Sequence, residues 1–219
     1  MMRSLRWLST LAALTALPLA GGSLAAQAHA TGIWDTEGLH TGAFIAGGGG
    51  LGAAHVSCTG CATLSHEISP SFWIRAGGTV SRHLLIGAEV DTWYANVDGE
   101  RTIIANGSLT GYYYPQIRSG LYFKGGLGPS IYQVRNGSTF KSVGIGLLLG
   151  AGYDYRIGHN LFLTPSLSMQ LGKQGNLTKV KGSGGPLPNQ GGTLISNATW
   201  AKNVKTNVIM LGVSLTYAE

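Results

Sequence analysis

Cys58-Thr59-Gly60-Cys61 holds the chain's only two thiols. A pair at this spacing can form a disulfide, exchange with one, or supply two of the four ligands that a zinc ion wants. Zinc would need two further ligands, and only His55 and His66 stand near. A redox motif belongs beside a strand-helix-strand unit, and no helical period flanks this one. In an oxidising compartment the pair reads most simply as a structural disulfide closing a tight loop. No metal and no cofactor is expected. Just upstream, His55-Val56-Ser57 puts a base and a hydroxyl on one strand face, with Glu67 ten residues beyond Ser57. Nucleophile, base and carboxylate are the parts of a hydrolytic triad. A His-x-Ser arises often by chance, however, and no catalysis is expected. The remaining candidates are charges in apolar or glycine-rich company: Arg75, Lys124 and Arg156, against Glu89, Asp91 and Asp154.

The elements that must position these residues are strands. Leu161 to Leu171, LFLTPSLSMQL, alternates apolar and polar residues almost without error, which is the period of a strand with two unlike faces. Eight such stretches are predicted, near 41–55, 70–80, 84–96, 101–115, 120–133, 142–156, 160–172 and 204–217. The connections SRHL, PQIRSG and IGHN are short. On the other side lie VSCTGCATLSHEIS, VDGE, RNGSTFK and a long loop over 173–203, rich in Gly, Pro and Asn. An even number of strands puts both chain ends on one side. Short turns there and longer loops opposite is the pattern of an outer-membrane barrel.

The faces are readable too. Leu84, Ile86, Ala88, Val90 and Tyr94 oppose Gly87, Glu89 and Asp91. Leu121, Phe123, Leu127 and Ile131 oppose Tyr122, Lys124, Gly126 and Ser130. Val143, Ile145, Leu147, Leu149, Tyr153 and Tyr155 oppose four glycines and Asp154, and Phe72, Ile74 and Val80 oppose Arg75 and Thr79. A soluble sandwich would carry many Lys and Glu on its polar face. Glycine there suits a narrow lumen, and Tyr94, Tyr113, Tyr153, Tyr155 and Tyr217, near the ends of the apolar face, suit an aromatic girdle. The fold expected is an eight-stranded antiparallel up-and-down transmembrane β-barrel. The six charges on polar faces would then point into the lumen, where each needs a partner. An ion-pair network of Arg75, Glu89, Asp91, Lys124, Asp154 and Arg156 is expected, as a plug rather than a gated pore.

Composition and the first residues agree. Of 219 residues only 11% are charged, against about 25% in a soluble domain, and the 35 glycines are about twice the usual share. Arg3 and Arg6 precede the short apolar run WLSTLAALTALPLA, and small-x-small sites end at Ala28 and Ala30. Residues 1–30 read as a cleavable secretory signal, leaving 31–219 as the barrel. Losing Arg3 and Arg6 takes the 15 basic residues to 13 against 9 acidic, a formal charge of +4. That excess forms no basic stripe with interleaved aromatics, so nucleic acid is not an expected partner.

Gly150 to Gly172, GAGYDYRIGHNLFLTPSLSMQLG, resembles a hairpin of bacterial outer-membrane β-barrel proteins related to the OmpA transmembrane domain, and VIMLGVSLTYAE looks like that group's terminal strand. The resemblance implies an outer-membrane location, contact with outer-membrane lipids and lipopolysaccharide, insertion by the barrel-insertion machinery, and a monomer. Two departures stand out. The group usually ends on an aromatic residue, whereas Ala218 and Glu219 follow Tyr217 here, and no periplasmic domain is expected after the barrel. The lipid A deacylases, also barrels, use a His-x-Ser pair with a downstream Glu. Here Cys58 stands where they usually have Asn, and the pair comes in the first hairpin. The expected role is structural or interactional, with Lys179 and Lys181 in the long loop as candidates for binding lipopolysaccharide. A narrow low-conductance pore is the alternative, and a lipid A-modifying hydrolase a more distant one.

Overall fold

The structure, a computed structural model, describes residues 42–59, 64–97, 100–136, 138–180 and 199–219. The expected signal segment 1–30, Cys61 and Lys181 lie outside these residues. Eight long strands follow one another: β1 Ala43–Thr59, β2 Leu64–Ser81, β3 Leu84–Val97, β4 Glu100–Tyr113, β5 Leu121–Asn136, β6 Ser138–Tyr153, β7 Leu161–Lys179 and β8 Thr199–Ala218. The two-residue segment Tyr155–Arg156 continues β6 past Asp154 and pairs with β7. Every strand runs antiparallel to its neighbours, and β8 returns to pair with β1 from Phe44↔Ala218 to Thr59↔Lys202. The result is a closed eight-stranded barrel. Closure leaves no sheet edge, which is what a wall facing lipid requires.

Alternation sorts the residues as expected. Outside, every strand adds large apolar side chains to one belt, among them Leu51, Phe72, Val90, Leu109, Leu127, Ile145, Leu167 and Leu211. Leu109 and Ile145 are 69% and 71% exposed. Apolar surface on this scale far exceeds what a soluble monomer shows. At the end where β1 starts and β8 finishes, Tyr113, Tyr153, Tyr155 and Tyr217 ring the outside, and the rings of Tyr153 and Tyr155 lie 4.5 Å apart. Tyr94 faces outward near the opposite, far end, beneath the Arg101 guanidinium.

Two local features differ from the simple pattern. The strands run past the apolar belt at the far end. Residues 173–179 belong to β7 and 199–203 to β8, so the expected loop over 173–203 is shorter at both ends. The twenty residues of β8 reach about 66 Å along the strand. At a tilt of roughly 40° that is about 50 Å along the axis, against an apolar band of about 25 Å. Beyond the apolar belt strict apolar/polar alternation is no longer required, which hides these extensions in the sequence. The β7–β8 register also slips repeatedly between Lys173 and Thr178. Gly175 (φ 79°) and Asn203 (φ 52°) absorb the slip, being residue types that accept the left-handed region.

The prolines sit where pairing lapses. The β4–β5 ladder is interrupted between Asn106↔Ser130 and Leu109↔Leu127, beside Pro129. The β6–β7 pairing is interrupted between Gly152↔Ser166 and Tyr155↔Leu163, beside Pro165. A residue with no N–H is tolerated where the ladder does not need one.

Candidate functional site

The interior has three levels. Nearest the terminal end, Phe44, Leu85, Tyr112, Tyr114, Tyr122 and Phe162 form an apolar cluster. Toward the far end a larger one is built from Val56, Trp93, Ile104, Val134, Phe140, Leu177 and their neighbours. Trp93 is held there by donating its Nε1–H to the Gly52 carbonyl at 2.8 Å. The charges lie at the terminal cluster and just above it.

Arg75 projects from β2 between two tyrosine rings, 5.5 Å from the centroid of Tyr112 and 5.2 Å from that of Tyr122. It donates to the Tyr122 hydroxyl at 2.6 Å and to Thr216 Oγ1 at 3.1 Å, and it stands 3.9 Å from Asp154 Oδ1. Asp154, in the break after β6, also accepts from Tyr114 (2.7 Å) and Thr164 (2.5 Å). Across the lumen Lys124 of β5 is paired with Glu89 of β3, both fully buried. Glu89 accepts from the Tyr112 hydroxyl at 2.8 Å as well. Tyr112 thus joins the two ion pairs, its ring against Arg75 and its hydroxyl on Glu89. Charge-assisted bonds of this kind are the strong ones, and water has little part in them. A cavity of about 10 Å³ beside Arg75 and Asp154 is at the lower limit for one water molecule.

Four of the six expected network residues therefore meet as two pairs. Asp91 shares their face and is fully buried, but neither of its carboxylate oxygens has a hydrogen-bond partner. Asn106, directly across from it, is also unsatisfied. Arg156 is not in the lumen. It has the inward parity but sits on the last rung of the β6–β7 hairpin, paired with Phe162 and exposed, with its guanidinium 5.4 Å from the Phe162 ring centroid.

Lys179 ends β7 half-buried, opposite Phe140, and Cys58 packs at the edge of the far cluster. The triad candidates are separated by the wall. His55 and Ser57 share the outer face, whereas Glu67 pairs with the buried Ala54 and so faces inward. Of the inward aromatics, sequence reasoning placed Tyr122 on the polar face with Lys124 but missed the two tryptophans. Trp73 shares the parity of Arg75 and Trp93 that of Glu89, so alternation alone could have placed them.

No protein-family model matches the chain, and no curated protein matches it in sequence. Solved structures do match it in shape. Neisserial surface protein A gives a TM-score of 0.51 at 16% identity, over 81% of this chain and 99% of that one. Ail, the attachment invasion locus protein of Yersinia pestis, gives 0.50 at 11% identity, over 81% and 99%. Both are small eight-stranded outer-membrane barrels, and the chain has their closed antiparallel barrel fold.

Proposed function

We propose that this protein is a closed barrel of a bacterial outer membrane that displays its far-end loops at the cell surface, with a structural or surface-interaction role and no catalysis. The observation that carries this is the filled lumen: two buried ion pairs joined through Tyr112 and roofed by the far apolar cluster. Side chains fill the interior of an eight-stranded barrel, and here they do so with groups that cannot leave without losing their partners. The short turns, with the start of β1 and the end of β8, belong on the periplasmic side. Strands that outrun the apolar belt at the far end then reach beyond the membrane. That the two matching structures are called a surface protein and an attachment invasion locus protein supports this by analogy of fold only.

The test combines location with conductance. Cells expressing the protein are fractionated, and the outer-membrane fraction is run on a gel boiled and unboiled. Purified protein is then placed in a planar bilayer. Membrane recovery, a heat-dependent shift and no current steps are expected. Soluble recovery without a shift would overturn the membrane barrel. Steady steps from the unmutated protein would replace the plug with a narrow pore.

A further inference from the structure

At the far edge of the apolar belt the outer wall turns basic. Arg101, Arg135, Lys141, Lys173 and Lys205 all occupy outward positions there, and none makes an ion pair among the described residues. The described carboxylates at this height, Glu67 and Glu100, take inward positions. The cations are also set against one another. Arg101 is directly across from Arg135, and Lys173 directly across from Lys205. Like charges directly opposite on a sheet destabilise it, so two such pairs call for an anion that the described carboxylates do not supply.

The height identifies that anion's setting. Lys173 is one outward position beyond Leu171, and Lys141 one beyond Val143. A step of two residues is about 7 Å along a strand. This puts the ammonium groups in the headgroup layer, which is roughly 5–8 Å deep on each side of the hydrocarbon. Beneath Lys173 and Lys205 the outer wall has a groove of about 550 Å³ floored by Leu127, Ile145, Leu147 and Leu171. It crosses the β6–β7 seam at the paired rungs Ile145↔Lys173 to Leu147↔Leu171, just below the point where the ladder lapses toward Lys141. His55 and Ser57 stand at its rim, and Ser57 is paired directly with Lys205.

We propose that this groove seats a phosphorylated lipid of the surface-side leaflet, its phosphate between Lys173 and Lys205 and its acyl chains on the leucine and isoleucine floor. The chemistry required is an anionic headgroup joined to hydrocarbon. Neither soluble phosphate nor a neutral lipid satisfies both halves of the site. The inference rests on the membrane-barrel assignment above, with the far end outward.

The test uses the full mature chain folded in a neutral detergent, with bisphosphorylated lipid A as the probe and chemically dephosphorylated lipid A and inorganic phosphate as controls. Bound lipid is counted by native mass spectrometry. Saturable binding near one lipid per barrel is expected, weakening as salt rises. The double variant Lys173→Gln/Lys205→Gln should lose roughly 30-fold in affinity, which is about 2 kcal/mol at about 1 kcal/mol per lysine. Dephosphorylated lipid should lose as much on the unmutated protein, an arm that stands even if the variant fails to fold. Arg101→Gln/Arg135→Gln, away from the groove, should change affinity by less than threefold.

Equal losses from both double variants would overturn a localised seat in favour of diffuse attraction. Unchanged binding by the lysine variant would overturn it outright, as would displacement of the lipid by millimolar phosphate. The boiled and unboiled gel run on the same samples separates these results from failure of the barrel itself.

Discussion

Removing Arg75 and Asp154, singly and together, measures how dry the lumen is. Their side chains are 4% and 1% exposed and stand 3.9 Å apart. At an effective permittivity of about 20, that separation is worth about 4 kcal/mol of attraction. Arg75→Met loses it, together with the bonds to Tyr122 and Thr216, and recovers the cost of having desolvated a guanidinium. It also leaves Asp154 buried without its cation. Breaking one side of a buried pair costs about 3–5 kcal/mol, and Arg75→Met should fall in that range. Asp154→Asn should cost less, because one of the two hydroxyls that donate to its separate oxygens keeps an amide oxygen, the other can turn to accept from the amide N–H, and Arg75 keeps Tyr122, Thr216 and two rings. The double variant should be more stable than the sum of the two losses by about 2 kcal/mol, inside the range for residues in direct contact. The assay is urea titration of the refolded barrel in vesicles, followed by tryptophan fluorescence and by the heat-dependent gel shift. Losses that add to within about 0.5 kcal/mol would mean no coupling. Single losses below about 1 kcal/mol would mean solvent screening, as at a surface. Either would refute a sealed lumen, and the plug with it.

Asp91→Asn tests the surplus carboxyl group. Arg75 and Lys124 face three buried carboxyl groups, Glu89, Asp91 and Asp154, and Asp91 lies against Glu89 with neither oxygen held by a donor of another residue type. The same titration should show no loss and a gain of up to about 1 kcal/mol; a loss of about 3 kcal/mol would show that Asp91 holds a partner of its own. Gly50→Val should abolish the heat-dependent shift, because a Cβ there would stand 2.1 Å from the Leu211 carbonyl oxygen and 2.5 Å from Gly212 Cα across the β1–β8 closure. Gly47→Val, with nothing within 4 Å, should fold normally, and equal behaviour of the two would refute the steric reading of the seam. For the cysteines, intact exported protein should gain two hydrogens on reduction, as a Cys58–Cys61 disulfide requires; an unchanged mass would show free thiols.

Alternation carried most of what could be read before folding. Period two fixes which face a residue joins, so Arg75, Glu89, Asp91, Lys124 and Asp154 could be sent into the lumen from sequence alone. Parity says nothing about height or about partners across the lumen, and those decide the chemistry. Arg75 on β2 meets Asp154 at the end of β6 only because the sheet closes. Asp91, two residues from Glu89 and on the same face, is left unpaired because Lys124 reaches the height of Glu89. Arg156 has the right parity and the wrong height, so it misses the lumen. The inward aromatics show the complementary limit. Trp73, Trp93, Tyr112 and Tyr122 carry the same parity signal as the charges, but a lumen imagined as polar gives an aromatic no reason to enter it. A lumen sealed against water gives it two reasons. The rings exclude the solvent that would screen the ion pairs, and Tyr112 and Tyr122 supply hydroxyls to the charges they enclose. Ion pairs inside a barrel should therefore be looked for together with large aromatics of the same parity within one or two inward positions.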